Sequence, residues 1–262
     1  MGIVNVTPNS FSDGGQFLDA KAAIAHGLRL RDEGADLVDV GGESTRPGAD
    51  PVALDEELGR VMPVVEALVR DGVAVSVDTM KPEVMRAAID AGCAAVNDVN
   101  AFRAPGALEA VAGVDVGVVA MHMQGTPRTM QQAPKYDDVV REVASFLRDR
   151  AVALENAGVA SGRIALDPGF GFGKTLEHNL RLFHALPALA SMGYALLVGL
   201  SRKRMIADLT GGRPVGERTA ASVAAALLAA QNGASLVRVH DVRETVDALN
   251  AWMALRSPEM SP

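Results

Sequence analysis

Basic side chains follow two apolar segments near the end of the chain, in a pattern suited to binding phosphate. GLSRKRM places Arg202, Lys203 and Arg204 after one segment, and VRVHD places Arg238 and His240 at the end of the next. Arg238 and His240 are two residues apart, so in a strand they face the same side. Arg can bind phosphate oxygens bidentately, whereas Lys acts as a point charge. An unpaired guanidinium is costly to bury, so we expect a functional role for Arg238.

The other apolar segments also end in polar side chains. These are Asn5, Asp39, Asp78, Asn97, Asp98, His122 and Asp167. Each has a structural alternative, because the acids and amides form helix caps and turns and a lone histidine is more often structural than catalytic. In a βα-barrel, however, the loops after the strands form one active-site face. The joint pattern therefore favours a single site over eight unrelated structural roles.

Several catalytic motifs are excluded by single residues. PGFGFGKT resembles a phosphate-binding P-loop, but Pro168 occupies the first required glycine position. GLSRK resembles a nucleophile elbow but has Lys203 where glycine is required. Cys93 is the only cysteine, so a thiolate zinc site and an intrachain disulfide are both excluded. We expect any metal to be a hard, oxygen-ligated ion such as Mg²⁺, shared with substrate phosphates.

The elements that position these residues alternate between strand and helix. Short runs rich in Val, Ile and Leu predict strands at 2–6, 36–40, 73–78, 94–98, 116–122, 163–167, 195–199 and 235–240. Longer periodic segments predict helices near 20–33, 54–70, 82–91, 105–112, 136–157, 176–186, 216–232 and 242–255. Eight βα units without a linker predict an α/β fold: a single domain over 1–262 that forms an eight-stranded parallel (β/α)8 TIM barrel. A doubly wound open sheet is the architectural alternative.

Composition limits the partners and the compartment. The 262 residues carry a formal net charge of −7, which argues against a nucleic-acid partner but permits a small anionic substrate. A single cysteine favours the reducing cytoplasm. The apolar stretch 219–230 is too short to span a bilayer, so we expect no membrane partner.

Three long loops follow the first, second and fifth predicted strands. Their sequences are NVTPNSFSDGGQFLD, GGESTRPGAD and MQGTPRTMQQAPKY. They could be flexible connectors, but loops of this length in a compact barrel are disproportionately functional.

An ordered set of motifs resembles the dihydropteroate synthase family. The set runs from position 2 to about 242 and consists of GIVNVTPNSFSDGG, GGESTRPGA, SVDT, VNDV, HMQGTP, LDPGFGFGKT, SRK and RVHDV. The family fold is an eight-stranded βα-barrel. The resemblance implies that p-aminobenzoate displaces pyrophosphate from 7,8-dihydropterin-6-ylmethyl diphosphate and gives 7,8-dihydropteroate for folate synthesis. It also implies a homodimer.

The resemblance assigns a role to each matching position. It implies that Asp78, Asn97, Asp167 and Lys203 line the pterin pocket, that Met121 and Phe172 form its apolar walls, that Asn5 contacts Mg²⁺, that Arg238 and His240 hold the diphosphate, and that Thr45 and Arg46 lie where the substrates meet. The loop through 11–13 is expected to fold over the site. The catalytic set is then Asp78, Lys203, Arg238 and His240, in which Asp78 stabilises the cation left when pyrophosphate departs.

Two other functions share part of this pattern. A pterin-dependent methyltransferase module would not need the first loop, SRK or RVH, so these motifs count against it. A non-catalytic pterin-binding paralogue is expected to have lost Asn5, Arg46 or His240, and all three are present. One departure from the family is Arg204, which stands where many members have serine and leaves one aminobenzoate contact open.

Overall fold

A computed structural model describes residues 1–7 and 15–256 of the chain, with the backbone alone for 15–19. The loop through 11–13, which the resemblance places over the site, lies outside the described residues. The eight strands are β1 (Gly2–Asn5), β2 (Val38–Gly41), β3 (Val75–Asp78), β4 (Ala95–Asp98), β5 (Gly117–Met121), β6 (Ile164–Asp167), β7 (Ala195–Val198) and β8 (Leu236–Val237).

The strands form one curled parallel sheet in chain order, from β1 to β8. A parallel bridge between Gly2 and Val239 brings the two ends of the sheet together. The Ile3 N–H donates to the Val239 carbonyl at 3.1 Å, and the Val239 N–H donates to the Met1 carbonyl at 3.0 Å. All carboxyl ends of the strands therefore meet at one face of the molecule, as a parallel sheet with helical crossovers requires.

Helices cover the outside of the sheet. They are α1 (Gly15–Asp32), α2 (Leu54–Arg70), α3 (Pro82–Asp90), α4 (Ala107–Val111), α5 (Val139–Asn156), α6 (Leu176–His184), α7 (Leu186–Ala190), α8 (Arg204–Leu209), α9 (Thr219–Gln231) and α10 (Val242–Arg256). Local sequence explains several starts. Pro82 occupies the first turn of α3, and the Asp138 carboxylate accepts two backbone N–H groups at the start of α5. Gly92 follows α3 with a φ of 88°, as expected for a glycine helix cap.

The bounds of most predicted elements shift by a few residues, and the structure differs more clearly from the prediction in four places. The segment predicted as one helix over 176–186 ends at 184, and α7 begins at 186 with Pro187 in its first turn, where no N–H is needed. The helix α8 has only six residues, too few for a recognisable period. The predicted helix over 105–112 shortens to five residues. Strand β8 is regular for two residues only. Beyond it the Arg238 N–H still donates to the Val198 carbonyl and Val239 forms the isolated bridge to Gly2, and the chain leaves the sheet at His240, whose N–H donates to the Ser201 hydroxyl.

Two apolar clusters lie on opposite sides of the sheet. The larger fills the space between sheet and helices, and its fully buried members include Leu68, Met85 and Leu154. The smaller consists of Met1, Val119, Ala165 and Leu197 on the concave side. Side chains two residues further along a strand face the same way. Along β6 the concave side therefore carries the apolar Ala165 first and the acidic Asp167 at the carboxyl end of the strand. We call the polar opening at the carboxyl ends of the strands the mouth.

Candidate active site

Arg238 joins three strands at the centre of the concave side. Its Nε donates to Asp39 Oδ2 at 2.6 Å, and its Nη2 donates to Asp78 Oδ2 at 3.0 Å. The Asn97 amide donates to the same Asp39 oxygen at 3.1 Å. Side chains from β2, β3, β4 and the end of β8 thus form one hydrogen-bonded cluster. The pairing also explains how an apolar strand holds a guanidinium, since two carboxylates compensate its burial.

Lys203 brings the loop after β6 to this cluster. Its ammonium group donates to the Phe170 carbonyl at 2.6 Å and lies 4.7 Å from the centre of the Phe172 ring. The Asp167 carboxylate accepts the Gly169 N–H at 2.7 Å, which fixes it at the start of the same loop. Phe172 packs against a small apolar cluster that contains Met121. The result is a polar patch beside an apolar wall, which suits a flat heterocycle with hydrogen-bonding edges.

Gly169 determines the path of that loop. It has a φ of +68°, and an added Cβ would lie 1.9 Å from the His122 carbonyl oxygen. The buried Lys174 holds this loop in place. Its ammonium group donates to the Gly169 carbonyl at 2.9 Å and to the Phe172 carbonyl at 3.0 Å, and it lies 3.0 Å from Nδ1 of the His122 ring. Lys174 and His122 therefore support the loop that carries the aromatic wall.

His240 lies next to the cluster in a second network of hydrogen bonds. Its Nδ1 is 3.0 Å from the Ser201 hydroxyl. The neighbouring Arg202, which has a φ of 60°, is held by two hydrogen bonds to Asp241 at 2.5 and 3.2 Å. These bonds tie the loop after β7, which carries Lys203, to the loop after β8.

Burial shifts the pKa of the groups in the cluster. Desolvation and the nearby charge of Asp39 raise the pKa of Asp78 to about 7, although Arg238 opposes the shift. Burial also raises the pKa of Asp167, and Lys203 opposes that rise. Desolvation lowers the pKa of Lys203 to about 8. Both Asp78 and Lys203 thus titrate near neutral pH, as is common for groups in functional sites.

The pKa of His240 corrects the expectation that Arg238 and His240 are both positively charged beside a phosphate. Burial, together with Arg202 and Arg238, lowers it to about 4. At neutral pH the ligand-free ring is therefore uncharged, and it can offer a hydrogen bond but not a charge. Arg46, although exposed, also contributes to this shift, so its charge acts on His240 across the mouth.

The loop after β2, which carries Thr45 and Arg46, is tied to the scaffold by buried charges. Lys81 bonds to Glu43 of the loop, and it donates to the fully buried Glu57 of α2 at 2.5 Å. The N–H of Gly48 in the same loop donates to the Pro127 carbonyl at 3.1 Å, which links it to the loop after β5.

Three residues named from the sequence stand apart from the Arg238 cluster. Asn5 ends β1 beside Gly41, and Thr45 lies half-buried in the loop after β2. No hydrogen bond within 1–7 and 15–256 joins either of them to the cluster. Arg204 is 93% exposed at the start of α8, 4.0 Å from Asp208.

Few side chains of the described residues could bind a metal ion. Within the described ranges, no group of three or more His, Cys, Asp or Glu side chains could hold a metal ion. The Asn5 amide supplies one hard oxygen at the carboxyl end of β1. This fits an ion such as Mg²⁺, which keeps several waters and is commonly bound by one or two protein oxygens together with substrate phosphates.

Sequence reasoning missed the partner of Arg238. Asp39 was visible as a polar residue at a strand end, but no role followed from its position. The feature that could have indicated this partner is a charged residue between two valines of an apolar strand. The sequence VDV in β2 places an acid in that position, and VRV at the end of β8 places a base there. For Asp98 the structural alternative is correct. Its carboxylate accepts the backbone N–H groups of Asn100 and Phe102 at 2.7 and 2.6 Å and forms a turn.

Comparison with known proteins identifies the family. A family model described as pterin binding enzyme matches residues 1–240. The dihydropteroate synthase of Neisseria meningitidis serogroup C is 52% identical over 259 residues, which cover 97% of this chain and 92% of the relative. The chain therefore belongs to the pterin binding enzyme family, and this relative is one of its dihydropteroate synthases. The resemblance drawn from the motifs is confirmed.

Two solved structures of high similarity contain a small-molecule ligand. The Xanthomonas albilineans dihydropteroate synthase with 4-aminobenzoic acid is 57% identical with a TM-score of 0.93, and the match covers 99% of this chain and 93% of that one. The same enzyme in complex with 7,8-dihydropteroate is 54% identical with a TM-score of 0.89, and the match covers 99% of this chain and 94% of that one.

In the part of the chain that the structure describes, no helix is both long and apolar enough to cross a membrane.

Proposed function

We propose that the chain is a dihydropteroate synthase, which joins 7,8-dihydropterin-6-ylmethyl diphosphate to p-aminobenzoate and releases pyrophosphate. The observation that carries the proposal is the cluster in which Arg238 bridges Asp39 and Asp78, with Asn97 bonded to Asp39. It offers acceptors and an amide for a heterocycle and an arginine for phosphate at the same mouth. Relatives of about half identity that bind p-aminobenzoate and dihydropteroate support it.

The pterin ring binds among the polar groups at the ends of β3, β4 and β6. A dihydropterin edge presents N–H donors and a carbonyl, which carboxylates, an amide and an ammonium group can pair with. We assign these contacts to Asp78, Asn97, Asp167 and Lys203. Met121 and Phe172 form the apolar walls on the ring faces. The support for this assignment is the packing of Phe172 against both Lys203 and the Met121 cluster.

The diphosphate binds toward Arg238 and His240. The hydrogen bonds to Asp39 and Asp78 use two of the five N–H groups of the guanidinium, so Arg238 can serve the carboxylates and a phosphate together. His240 contributes a hydrogen bond, and its lowered pKa leaves the ring neutral before the substrate binds. Mg²⁺, held by Asn5 and the diphosphate itself, would supply further neutralisation of the leaving group.

The reaction is a dissociative displacement at the methylene carbon. The bond between that carbon and the diphosphate oxygen breaks, and both electrons leave with pyrophosphate. The carbon is left as a cation delocalised into the dihydropterin ring, which the Asp78 carboxylate stabilises. The amine nitrogen of p-aminobenzoate then bonds to the carbon and loses one proton to solvent. No protein nucleophile is needed, in keeping with the failed elbow motif and the buried Cys93.

The second substrate meets the cation at the outer end of the mouth. We assign Thr45 and Arg46 to this position, because the loop that carries them is tied down by Lys81 and linked to the loop after β5.

The finer architecture and the setting are also proposals. The bridge between Gly2 and Val239 supports closure of the sheet into a (β/α)8 TIM barrel, formed by a single domain over 1–262. We further propose a cytoplasmic homodimer, as the family resemblance implies.

The test is a stoichiometric assay with the purified chain, Mg²⁺, the pterin diphosphate and p-aminobenzoate. We expect pyrophosphate and dihydropteroate to appear in equal amounts. Binding of the pterin without either product would instead favour a non-catalytic binding protein, and methyl transfer from a methylated pterin to a corrinoid protein would favour a methyltransferase module. Either result, obtained with folded protein, contradicts the proposal.

A further inference from the structure

Asp39 is a buried carboxylate that contacts two groups of the proposed pterin site. It lies in the middle of β2 and its relative exposure is 0%. A single oxygen, Oδ2, accepts the Arg238 Nε–H at 2.6 Å and the Asn97 amide N–H at 3.1 Å. The two donors come from β4 and from the end of β8, so Asp39 connects residues that are remote in sequence.

The bond to Asn97 determines which way its amide faces. An ionised carboxylate can only accept hydrogen bonds, so the atom of Asn97 that faces Asp39 must be the nitrogen. The carbonyl oxygen of Asn97 is then the atom left for a ligand, and it can pair only with a donor. Without Asp39, the amide could turn over and present its N–H groups instead.

The bond to Arg238 determines the plane of its guanidinium. The planar group is held at Nε by Asp39 and at Nη2 by Asp78, so two bonds from different atoms fix its orientation. Asp78, the residue proposed to stabilise the reacting cation, has a side chain that is 12% exposed, whereas the Asp39 side chain is fully buried. Asp39 is therefore the deeper of the two partners of Arg238.

We infer that Asp39 is a positioning residue for the pterin diphosphate: it holds Arg238 toward the phosphates and turns the Asn97 carbonyl toward an N–H of the heterocycle. The inference rests on the proposed function. A purely structural role, in which Asp39 only neutralises a buried arginine, is the competing explanation, and it predicts lower stability without a change in substrate recognition.

Two substitutions at this position separate the roles. Asp39→Ala removes both hydrogen bonds, and we expect the KM for pterin diphosphate to rise roughly 10- to 100-fold, as for the loss of bonds to charged groups. Asp39→Asn can keep an oxygen in the same place but carries no charge, so we expect a smaller rise of roughly 3- to 10-fold. The KM for p-aminobenzoate should change little in both variants.

The pH profile is a further readout, because the charge of Asp39 acts on Asp78. Asp39, Asp98 and Glu57 act on Asp78 as like charges, whereas Arg238 opposes them. Lys203 also interacts with Asp78. Removing the charge of Asp39 therefore lets Asp78 ionise at lower pH, and the acid limb of kcat/KM in Asp39→Asn should move to lower pH than in the wild type.

Ser76→Ala is the matched control. Ser76 is the register partner of Asp39 on β3, is fully buried, and its hydroxyl has no hydrogen-bond partner among the described residues. Its loss leaves the bonds of Asp39 in place, so the KM and the acid limb should stay at their wild-type values.

The experiment measures the KM for each substrate and the pH profile of the wild type and the three variants. A wild-type KM for pterin diphosphate in folded Asp39→Ala and Asp39→Asn would overturn the inference while leaving the proposed function intact. A wild type that forms no dihydropteroate would instead refute the proposed function, and the inference with it. If the substituted chains do not fold, a wild-type structure with dihydropteroate decides: both bonds of Asp39 should persist, and their loss would overturn the inference.

Discussion

The pH dependence of the reaction gives a quantitative prediction, because two groups of the site titrate close together. Asp78, with a pKa near 7, must be ionised to stabilise a cation, so activity falls as the pH drops below that value. Lys203, with a pKa near 8, must be protonated to donate its hydrogen bonds, so activity falls as the pH rises above it. The expected profile of kcat/KM is a narrow bell centred near pH 7.5.

The size of the effect follows from the two values. About 58% of molecules carry both groups in the required form at pH 7.5, compared with about 9% at pH 6, which predicts a roughly sixfold fall in kcat/KM. The initial rate of pyrophosphate release, measured at pterin diphosphate concentrations well below KM, gives kcat/KM at each pH. This quantity reports the pKa values of the free enzyme.

Asp78→Asn provides the decisive comparison. Loss of the charge should lower kcat roughly 100-fold, as for removal of one preorganised electrostatic group, with a smaller effect on pterin affinity. The acid limb should vanish from the residual rate, while the limb near pH 8 remains. A wild-type profile that is flat from pH 5.5 to 7.5, or an acid limb that survives in the variant, would refute the role assigned to Asp78.

Three further substitutions have expected outcomes. Arg238→Ala should weaken binding of pterin diphosphate roughly 10- to 100-fold in calorimetry, and unchanged affinity would contradict the phosphate assignment. Asp98→Asn should cost about 1–3 kcal/mol in denaturant unfolding, because an amide cannot accept both backbone N–H groups of the turn as a carboxylate does. Gly169→Ala should cost roughly 2–5 kcal/mol, since its Cβ would overlap a carbonyl oxygen, whereas Gly72→Ala, with positive φ but open space, should cost only about 1–2 kcal/mol. Equal losses in the two glycine variants would show that the close approach at 169 is unimportant.

Much of the fold follows from periodicity, because long amphipathic segments and short Val-rich runs have few alternative structures. The eight strands lie where they are expected, and the same-side placement of Arg238 and His240 follows from a spacing of two. Short elements could not be predicted in this way. The six residues of α8 and the split at Pro187 depend on local packing, and β8 is regular for two residues only although the apolar run around it is longer.

The chemistry of the site is only partly readable from sequence. Acids, amides and bases at strand ends indicate one mouth, but pairings between remote strands depend on register. Asp39 and Arg238 are 199 residues apart, so their bond could not be inferred without the sheet. Burial is equally hidden, and it makes His240 neutral where the motif suggests a second cation.

The central claim is that the ring and the departing phosphates are bound at one mouth of the sheet. A crystal structure of this chain with 7,8-dihydropteroate and pyrophosphate tests it most directly. We predict the ring between Met121 and Phe172, within hydrogen-bond distance of Asp78, Asn97 and Lys203, and pyrophosphate beside Arg238. A ring bound elsewhere, with these side chains arranged as in the free protein, would contradict the account.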